Sequence, residues 1–204
     1  MSSTTIAVIG SGVIGRTLAT RFAQAGHTVT FGARDPGNAD LAAFAQQIGA
    51  RVTGIDTAID AADVVLLAIN GGAMAEAVPA FGARLGARIV IDASNNVGGP
   101  SLNSLAALAE HAPAARLYRA FNSVGWENFA DARYGDDTGD LLYSGPDSES
   151  RAVVAELIGA TGLRPVWVGD NDQAQIVDNF VALWFTLAFD RGWGRNLGFK
   201  LLTR

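Results

Sequence analysis

Short apolar segments alternate with longer segments of helical periodicity along most of this chain. The first apolar segment, Thr5–Ile9, is followed at once by a stretch that places Leu18, Phe22 and Ala25 on one helical face. Apolar runs without polar alternation are typical of strands buried on both faces of a parallel sheet, and the helices between them are typical of crossovers. The pattern therefore predicts an α/β fold built on a doubly wound parallel sheet.

The same pattern gives the approximate bounds of the elements. The predicted strands are Thr5–Ile9, 28–32, 51–53, 63–69, 87–93, 116–121, 140–144 and 165–168. The predicted helices are 13–25, 40–48, 73–85, 101–111, 126–131 and 148–161. Asp147 and Ser148 are suited to cap the last of these. No repeat, low-complexity tract or linker interrupts the pattern, so we expect one domain over residues 1–204.

The chain closes with an apolar helical extension at about 171–204. Its helix is predicted over 173–191 and is apolar on almost every face. Such a helix packs on the sheet and on a second subunit, or lies beneath a ligand. Its most apolar part, 180–189, is about half as long as a helix that crosses a bilayer. We therefore expect a homodimer that forms through this helix, and no insertion into a membrane.

Composition excludes several classes of function. The 204 residues include no cysteine and two histidines, which leaves no disulfide framework, no thiolate nucleophile and no basis for a zinc site, so we expect no metal. Fifteen basic residues against twenty acidic ones give a net charge of -5, the wrong sign for binding nucleic acid. The amino terminus leads straight into a strand without the features of a signal peptide, so we expect a cytoplasmic protein.

A glycine-rich turn joins the first predicted strand to the first predicted helix. It reads Gly10-Ser11-Gly12-Val13-Ile14-Gly15. The first glycine permits the tight turn, the second lets the backbone approach a pyrophosphate, and the third lets the helix pack on the strand. The pyrophosphate would lie at the positive N-terminus of the helix. Such turns also occur for structural reasons alone, but this context predicts a Rossmann NAD(P)-binding fold with residues 10–14 on the cofactor.

The end of the second predicted strand discriminates between the two dinucleotides. NAD-binding chains place a carboxylate there for the ribose hydroxyls, whereas this chain reads Phe31-Gly32-Ala33-Arg34-Asp35. The Arg34 guanidinium suits a bidentate contact with a 2′-phosphate, which favours NADP(H). Two alternatives stay open: Arg34 is a solvated charge paired with Asp35, or Asp35 itself reaches the ribose.

The residues that usually donate protons in nicotinamide enzymes are missing from the sequence. Lys200 is the only lysine, so no Tyr-x-x-x-Lys pair exists. His27 lies in a turn and His111 at a helix end, where surface or capping roles are expected. A dinucleotide-binding fold without an acid or base suits direct hydride exchange with an acceptor that carries its own chemistry, such as a flavin-like cofactor. We therefore assign no protic catalytic residue.

Four segments of the chain resemble one known family. They are IAVIGSGVIGRTLATRFAQAGHTVTFGARDP, IDASNN, RAFNSVGWENFADARYGDD and FVALWFTLAFDRGWGRNLGFKLL. Together they are similar to the NADPH-dependent coenzyme F-420 reductases, whose domain recurs in the cytosolic part of the STEAP metalloreductases. The resemblance spans nearly the whole chain and implies hydride transfer between NADPH and a deazaflavin. It also implies that Ala120, Phe121 and Asn122 line the place where the nicotinamide and deazaflavin rings meet, with Arg34 on the 2′-phosphate.

Two positions depart from that family. Ala33 stands where a hydroxyl residue often precedes the arginine, which would remove one hydrogen bond to the 2′-phosphate. Asn70-Gly71-Gly72 follows the fourth predicted strand, where the family often has proline. The second departure bears on the acceptor pocket more than on the NADP site.

Polar residues follow several of the predicted strands. They are Asn70, Ser94, Asn95 and Asn122. Because ligands of doubly wound sheets bind at the carboxyl ends of the strands, these side chains could fix a carboxamide or a ribose. The ordinary alternative for each is a turn stabilised by its own side chain. Trp126 comes shortly after Asn122 and could stack on a planar acceptor ring in the substrate pocket.

The sequence therefore predicts an NADP-dependent oxidoreductase that exchanges hydride with coenzyme F-420 or a related flavin. Two other hypotheses stay open. In the first, the acceptor is a free flavin, a quinone or another small oxidant. In the second, the chain is a non-catalytic protein that senses the NADPH/NADP ratio and regulates a partner. The absence of proton-transfer groups is compatible with both.

Overall fold

The computed structural model describes residues 3–204. Contacts between residues group the chain into two compact units, Met1–Leu117 and Tyr118–Arg204. The boundary falls inside one strand, Arg116–Arg119. A single domain over the whole chain stays a prediction.

A six-stranded parallel sheet flanked by helices forms the framework of the first unit. Its strands are β1 (Thr5–Ile9), β2 (Thr28–Ala33), β3 (Arg51–Gly54), β4 (Val64–Leu67), β5 (Ile89–Asp92) and β6 (Arg116–Arg119). The helices are α1 (Val13–Gln24), α2 (Ala39–Gln47), α3 (Ile55–Asp60), α4 (Met74–Leu85) and α5 (Leu105–His111). The strand order β3-β2-β1-β4-β5-β6 is that of the doubly wound dinucleotide-binding sheets. The predicted Rossmann fold is therefore confirmed.

β1 occupies the middle of this sheet and is buried from its second residue onward. It pairs in parallel with β2 and β4, so that Ile9 lies opposite both Gly32 and Leu67. α1 buries Leu18 and Phe22, and each large apolar side chain removed from water contributes about 1.5–3 kcal/mol. The in-register pairing brings the turns that follow β1, β2 and β4 to the same edge of the sheet.

The second unit contains shorter elements. They are α6 (Trp126–Ala130), β7 (Arg133–Tyr134), β8 (Asp137–Thr138), β9 (Asp140–Tyr143), α7 (Glu149–Ala160), β10 (Arg164–Trp167) and α8 (Ala174–Phe185). β9 and β10 pair in parallel, and β7 and β8 form an antiparallel hairpin. The predicted strands 140–144 and 165–168 are thus present, but they form a two-stranded sheet of their own instead of extending the main one.

Some element bounds differ from the sequence prediction for identifiable reasons. The apolar pattern predicts neither α3 nor the β7–β8 hairpin, because both are too short to show a clear period. α5 begins at Leu105 and not at residue 101. The preceding backbone is held in a loop, since the Ser104 amide donates to the Asp92 carboxylate at 2.7 Å and the Leu105 amide donates to the Asn103 side chain at 3.1 Å.

The terminal apolar helix is interrupted near its end. α8 passes into a π-helical turn at Thr186–Asp190. In the single chain Leu183, Phe185 and Phe189 are between 37% and 49% exposed, so this segment keeps an apolar surface. Among residues 3–204, no helix combines the length and the apolar character needed to span a bilayer.

A buried ion pair ties α8 to the end of β6 inside the second unit. Arg119 Nε donates to Asp178 Oδ1 at 2.8 Å, and the two side chains are 0% and 2% exposed. Asn122 Nδ2 donates to the same carboxylate oxygen at 3.2 Å. Removing one partner of such a pair leaves an uncompensated buried charge, at a cost of about 3–5 kcal/mol. The Arg119–Asp178 pair therefore sets where α8 lies relative to the residues that follow β6.

The last residues of the chain pack on β9. The Asp140 amide donates to the Phe199 carbonyl at 2.7 Å, and the Leu201 amide donates to the Asp140 carboxylate at 2.7 Å. Burial raises the pKa of Asp140, but hydrogen bonds from Arg164 and Leu201, with the charges of Arg164 and Lys200, outweigh it and hold that pKa below its usual value. Asp140 therefore stays ionised and keeps the tail in place.

Candidate functional site

Each glycine of the turn after β1 has a different surrounding. Gly10 has φ +117, and a Cβ there would overlap the Ala68 carbonyl oxygen. A Cβ on Gly15 would overlap the Gly10 carbonyl oxygen, which shows how tightly α1 packs on the turn. A Cβ on Gly12 would meet no atom within 4 Å, although φ there is an ordinary -72. Gly10 and Gly15 thus serve packing, and Gly12 leaves open space beside the backbone for a ligand.

The N-terminus of α1 is suited to bind an anion. Gly12 occupies the N-cap position, so no side chain caps the helix, and the first turn contains no acidic residue. Ser11 and Val13 are exposed, and Ile14 is half-buried. The N–H groups of a helical first turn have no partner inside the helix, and together with the helix dipole they bind phosphate. The structure therefore places an uncapped helix N-terminus directly after the glycine motif, while phosphate binding there stays a prediction.

Arg34 lies next to this turn, because β2 pairs in register with β1 and Arg34 follows β2 directly. Arg34 is exposed, and within residues 3–204 its guanidinium forms no ion pair. Asp35 accepts a hydrogen bond from the Gly37 amide at 3.0 Å and so stabilises the loop. The alternative in which Asp35 pairs with Arg34 is therefore not what the structure shows.

The other polar residues at this edge form turns. Asn70 Oδ1 accepts from the Gly72 amide at 2.9 Å, and Asn70 is exposed. Ser94 Oγ donates to Asp92 Oδ1 at 2.5 Å, and the Ser94 amide donates to the same oxygen at 2.9 Å. Asn95 is half-buried, and a Cβ on Gly71 would overlap the Asn95 backbone. The side chains of Asn70 and Ser94 thus stabilise the turns in which they lie. Contacts of Asn70, Ser94 and Asn95 with the cofactor stay a prediction.

Asp92 is a residue of this edge that the sequence reasoning missed. It ends β5 and is fully buried, and its two oxygens accept from Ser94 and from the Ser104 amide. A buried carboxylate is stable only when hydrogen bonds compensate its lost hydration. The available signal was an aspartate at the end of an apolar run, in Ile89–Asp92.

The Ala-Phe-Asn element follows β6 in the second unit. Ala120 and Phe121 are 0% exposed and Asn122 is 4% exposed, so all three are buried. Phe121 has φ +61, and among residues 3–204 it is the one non-glycine residue with positive φ. Its ring packs edge-on against Phe129 with centroids 5.8 Å apart. A left-handed backbone at a bulky residue costs about 1–3 kcal/mol, and such strain concentrates at functional sites.

Trp126 and Asn122 differ in how accessible they are. Trp126 is the first residue of α6 and is 37% exposed, so its ring can meet a ligand. The Asn122 amide is directed to Asp178, so the buried Arg119–Asp178 pair determines its orientation. Sequence reasoning missed this pair, although a basic residue at each end of the short strand Arg116–Arg119 was a visible signal. The roles of Asn122 and Trp126 at a ring pocket stay predictions.

Three side chains that could transfer protons, Tyr134, Tyr143 and His27, are buried or half-buried. Burial, with a smaller contribution from the Asp131 carboxylate, raises the pKa of Tyr134 to about 12, and its hydroxyl donates to Asn128. Burial also raises the pKa of Tyr143. His27 is 8% exposed, and its Nδ1 accepts from the Thr4 amide at 3.3 Å. Neither phenol is a base at neutral pH, and His27 stabilises the turn in which it lies.

The comparisons with known proteins agree with this geometry. Residues 5–96 match the model of the family described as NADP oxidoreductase, coenzyme F-420-dependent. The match spans just under half of the chain, which resembles that family over these residues. The match covers the glycine-rich turn, Arg34 and the strand ends at Asn70, Ser94 and Asn95. This likeness agrees with the sequence prediction of an NADP-dependent oxidoreductase.

Three relatives extend the likeness beyond the matched residues. Metalloreductase STEAP3 of Rattus norvegicus is 27% identical over 178 residues, which are 85% of this chain and 35% of that protein. The chain thus spans about a third of this relative's length. A crystal structure of a candidate F-420-dependent NADP-reductase from Arthrobacter sp. FB24 has 24% identity and a TM-score of 0.84, covering 98% of this chain and 100% of that chain.

The third relative is a reductive aminase from Aspergillus terreus in complex with NADPH and ethyl levulinate. It has 24% identity and a TM-score of 0.70, covering 94% of this chain and 63% of that chain. At these identities the two solved structures establish the fold alone.

The three glycine environments predict different effects of alanine. Gly12→Ala should lower the free energy of unfolding by no more than about 1 kcal/mol, the cost of alanine at an N-cap, because nothing in the chain opposes the new methyl group. It should weaken NADPH binding at least about tenfold, because the methyl group fills the space that the pyrophosphate approaches. Gly15→Ala is the matched comparison and should cost about 1–3 kcal/mol of stability. Urea denaturation and NADPH fluorescence titration measure both effects; unchanged NADPH affinity in Gly12→Ala would contradict the assignment.

Arg34→Ala should weaken NADPH binding about 10- to 100-fold, the value of one charged hydrogen-bonding contact, and should change NADH binding by less than about twofold. The control is Arg51→Ala, which removes another exposed arginine of the same unit at the amino end of β3. Titration of both variants with both nucleotides measures the effect. Equal losses for NADPH and NADH in Arg34→Ala would show that Arg34 does not contact the 2′-phosphate.

Proposed function

We propose that this protein transfers hydride between NADPH and coenzyme F-420 or a closely related flavin-like acceptor, in the cytoplasm. The observation that carries the proposal is the family match over the phosphate-binding turn and Arg34. NADPH supplies a hydride from its dihydronicotinamide ring, and the acceptor ring takes up that hydride together with a proton from water. The contribution of the protein is then to bind, orient and shield the two rings.

The first unit supports the NADP half of the reaction. The uncapped first turn of α1 would hold the diphosphate, and the exposed Arg34 would contact the 2′-phosphate. Ala33 offers no hydroxyl beside that phosphate, so the charge of Arg34 carries more of the discrimination. Asn70 and Asn95 lie at the ends of neighbouring strands, where an amide could orient a ribose or the nicotinamide carboxamide.

The second unit supports an acceptor that needs no acid from the protein. The phenols of Tyr134 and Tyr143 have raised pKa values, so they are weak proton donors, and Tyr134 is half-buried while Tyr143 is buried. A deazaflavin or flavin accepts hydride without protonation by a side chain, in contrast to a ketone. We assign Asn122 to ring orientation, supported by its fixed amide, and Trp126 to stacking on the acceptor, supported by its exposure.

Two competing functions would give different results. A reductase of free flavin, a quinone or another small oxidant would bind NADPH and leave coenzyme F-420 unreduced. A non-catalytic NADPH sensor would bind both redox states and reduce no acceptor. The assay below distinguishes the three.

Purified protein mixed with NADPH and coenzyme F-420 should bleach the deazaflavin absorbance, with little bleaching when NADH replaces NADPH. Trp126→Leu should raise the KM for coenzyme F-420 about three- to tenfold, the scale of one ring-stacking contact, and leave NADPH affinity unchanged. Trp193→Leu is the control, because it removes a tryptophan that is 66% exposed and is not assigned to the acceptor. Tight NADPH binding without F-420 turnover would refute the assigned acceptor.

We also propose that the protein is a homodimer formed through the end of α8 and the turn that follows it. Leu183, Phe185 and Phe189 are exposed in the single chain, and the rings of Phe185 and Phe189 lie 5.5 Å apart. Apolar side chains that cluster at a surface mark contact sites, and a stable interface buries at least about 1,000 Å² in total.

Light scattering at micromolar concentration should give the mass of two chains. Phe189→Arg should shift the protein to a monomer, because it places a charge within the proposed interface. Leu202→Arg is the control, since Leu202 is 83% exposed in the tail. A monomeric wild-type protein would refute the dimer.

A further inference from the structure

We propose that Arg16 is a second specificity-determining residue for the 2′-phosphate, and that Asp40 competes with that phosphate for the Arg16 guanidinium. This inference rests on the proposed NADP site and adds a residue that the glycine motif and Arg34 do not include. It is carried by three contacts that Arg16 makes inside the first unit.

Arg16 lies in the first turn of α1, directly after the third glycine of the motif. Its Nε donates to the Ser11 carbonyl at 2.9 Å, so the guanidinium is anchored to the phosphate-binding turn itself. The side chain is 28% exposed, which leaves part of the guanidinium open to solvent and to ligand. A positive charge is thus held beside the turn by a neutral acceptor that phosphate binding does not remove.

The other side of the guanidinium contacts α2. Arg16 Nη2 pairs with Asp40 Oδ2, and the guanidinium lies over the Phe44 ring at 4.8 Å from its centroid. α2 is the helix into which the Arg34 loop leads, and Asn38 caps it by accepting from the Leu41 amide at 2.9 Å. The Arg16 guanidinium therefore stands between the turn that would hold the diphosphate and the loop that would hold the 2′-phosphate.

The contact with Asp40 is easily exchanged. The Asp40 side chain is 77% exposed, and an ion pair this open to water contributes little to stability. A guanidinium has five N–H donors, and those of Nη1 have no partner within residues 3–204. A doubly charged phosphate monoester is a stronger acceptor than a hydrated carboxylate. Arg16 can thus contact a 2′-phosphate while its Nε keeps the bond to Ser11.

Asp40 would then oppose binding in two ways. It holds the guanidinium in the absence of nucleotide, and it places a negative charge close to the incoming phosphate. Both effects act on NADPH and leave NADH, which has no 2′-phosphate, almost unaffected. If the contact between Arg16 and Asp40 only stabilised the fold, the result would differ, because loosening it would weaken the binding of NADPH and NADH alike.

The experiment measures dissociation constants by calorimetry for NADPH, NADH and adenosine 2′,5′-bisphosphate at fixed salt. The bisphosphate keeps the 2′-phosphate and lacks the diphosphate bridge, so it separates contact with the 2′-phosphate from contact with the diphosphate. The variants are Asp40→Asn, Arg16→Gln, Arg16→Lys and the double variant Arg16→Gln with Asp40→Asn. The control is Asp60→Asn, which removes another exposed aspartate of the same unit, one that pairs with Arg84 at 2.7 Å.

Asp40→Asn should tighten the binding of NADPH and of the bisphosphate about three- to tenfold, and it should change the dissociation constant of NADH by less than about twofold. Arg16→Gln should weaken binding of NADPH and of the bisphosphate about tenfold. Adding Asp40→Asn to it should tighten binding by less than Asp40→Asn does alone, because only the repulsion of the phosphate is then left to remove. Arg16→Lys keeps the charge and the fold, and should lie between wild type and Arg16→Gln because lysine cannot hold Ser11 and phosphate together. Asp60→Asn should match wild type.

If Asp40→Asn weakened the binding of NADPH and NADH alike, the inference would be overturned, because the contact with Arg16 would then only stabilise the fold. Equal tightening in Asp40→Asn and Asp60→Asn would also overturn it, because the effect would then be one of net charge alone. A wild-type protein that binds NADPH no better than NADH would refute the proposed NADP site itself, whereas a wild-type preference for NADPH that Asp40→Asn leaves unchanged would refute the competition alone.

Discussion

Close backbone packing at the end of β1 is the constraint on which the dinucleotide site depends. Gly10 and Gly15 lie so near neighbouring carbonyl groups that neither position has room for a side chain. This packing lets α1 begin directly after the turn, with its free N–H groups at the edge where β1, β2 and β4 end. Arg34 reaches that edge only because β2 pairs in register with β1. A shift of the turn would therefore displace every group assigned to the phosphates.

Buried charges organise the loops in each unit. In the first unit, Asp92 accepts from Ser94 and from a backbone amide, and so holds the loop after β5. In the second unit, the Arg119–Asp178 pair joins α8 to the Ala-Phe-Asn element and orients the Asn122 amide. A buried charge is costly unless its hydrogen bonds are complete, so these contacts tolerate little rearrangement. Rigid loops of this kind suit a reaction that depends on ring placement more than on proton transfer.

The Rossmann framework by itself does not select the hydride acceptor. Folds of this kind host many reactions, and the chemistry depends on the side chains that each chain places at the strand ends. Here the phosphate-binding parts lie in the first unit, and the residues assigned to the acceptor lie in the second. In the proposed function, acceptor specificity depends on Asn122, Trp126 and their supporting contacts, and cofactor specificity depends on Arg34.

The sequence alone determined the fold class, most of the strands and the glycine-rich turn between β1 and α1, because each depends on local pattern: apolar runs, helical periodicity and glycine spacing. It also predicted that Arg34 contacts the 2′-phosphate, since the end of the second strand lies about 20 residues from the motif. The tertiary structure alone decided which charges are paired. Asp92 holds the loop that follows it through its contact with Ser94. Arg119 and Asp178 are 59 positions apart in the sequence, and Arg16 and Asp40 are 24 positions apart. No local pattern encodes such partners, because burial and packing between distant elements select them.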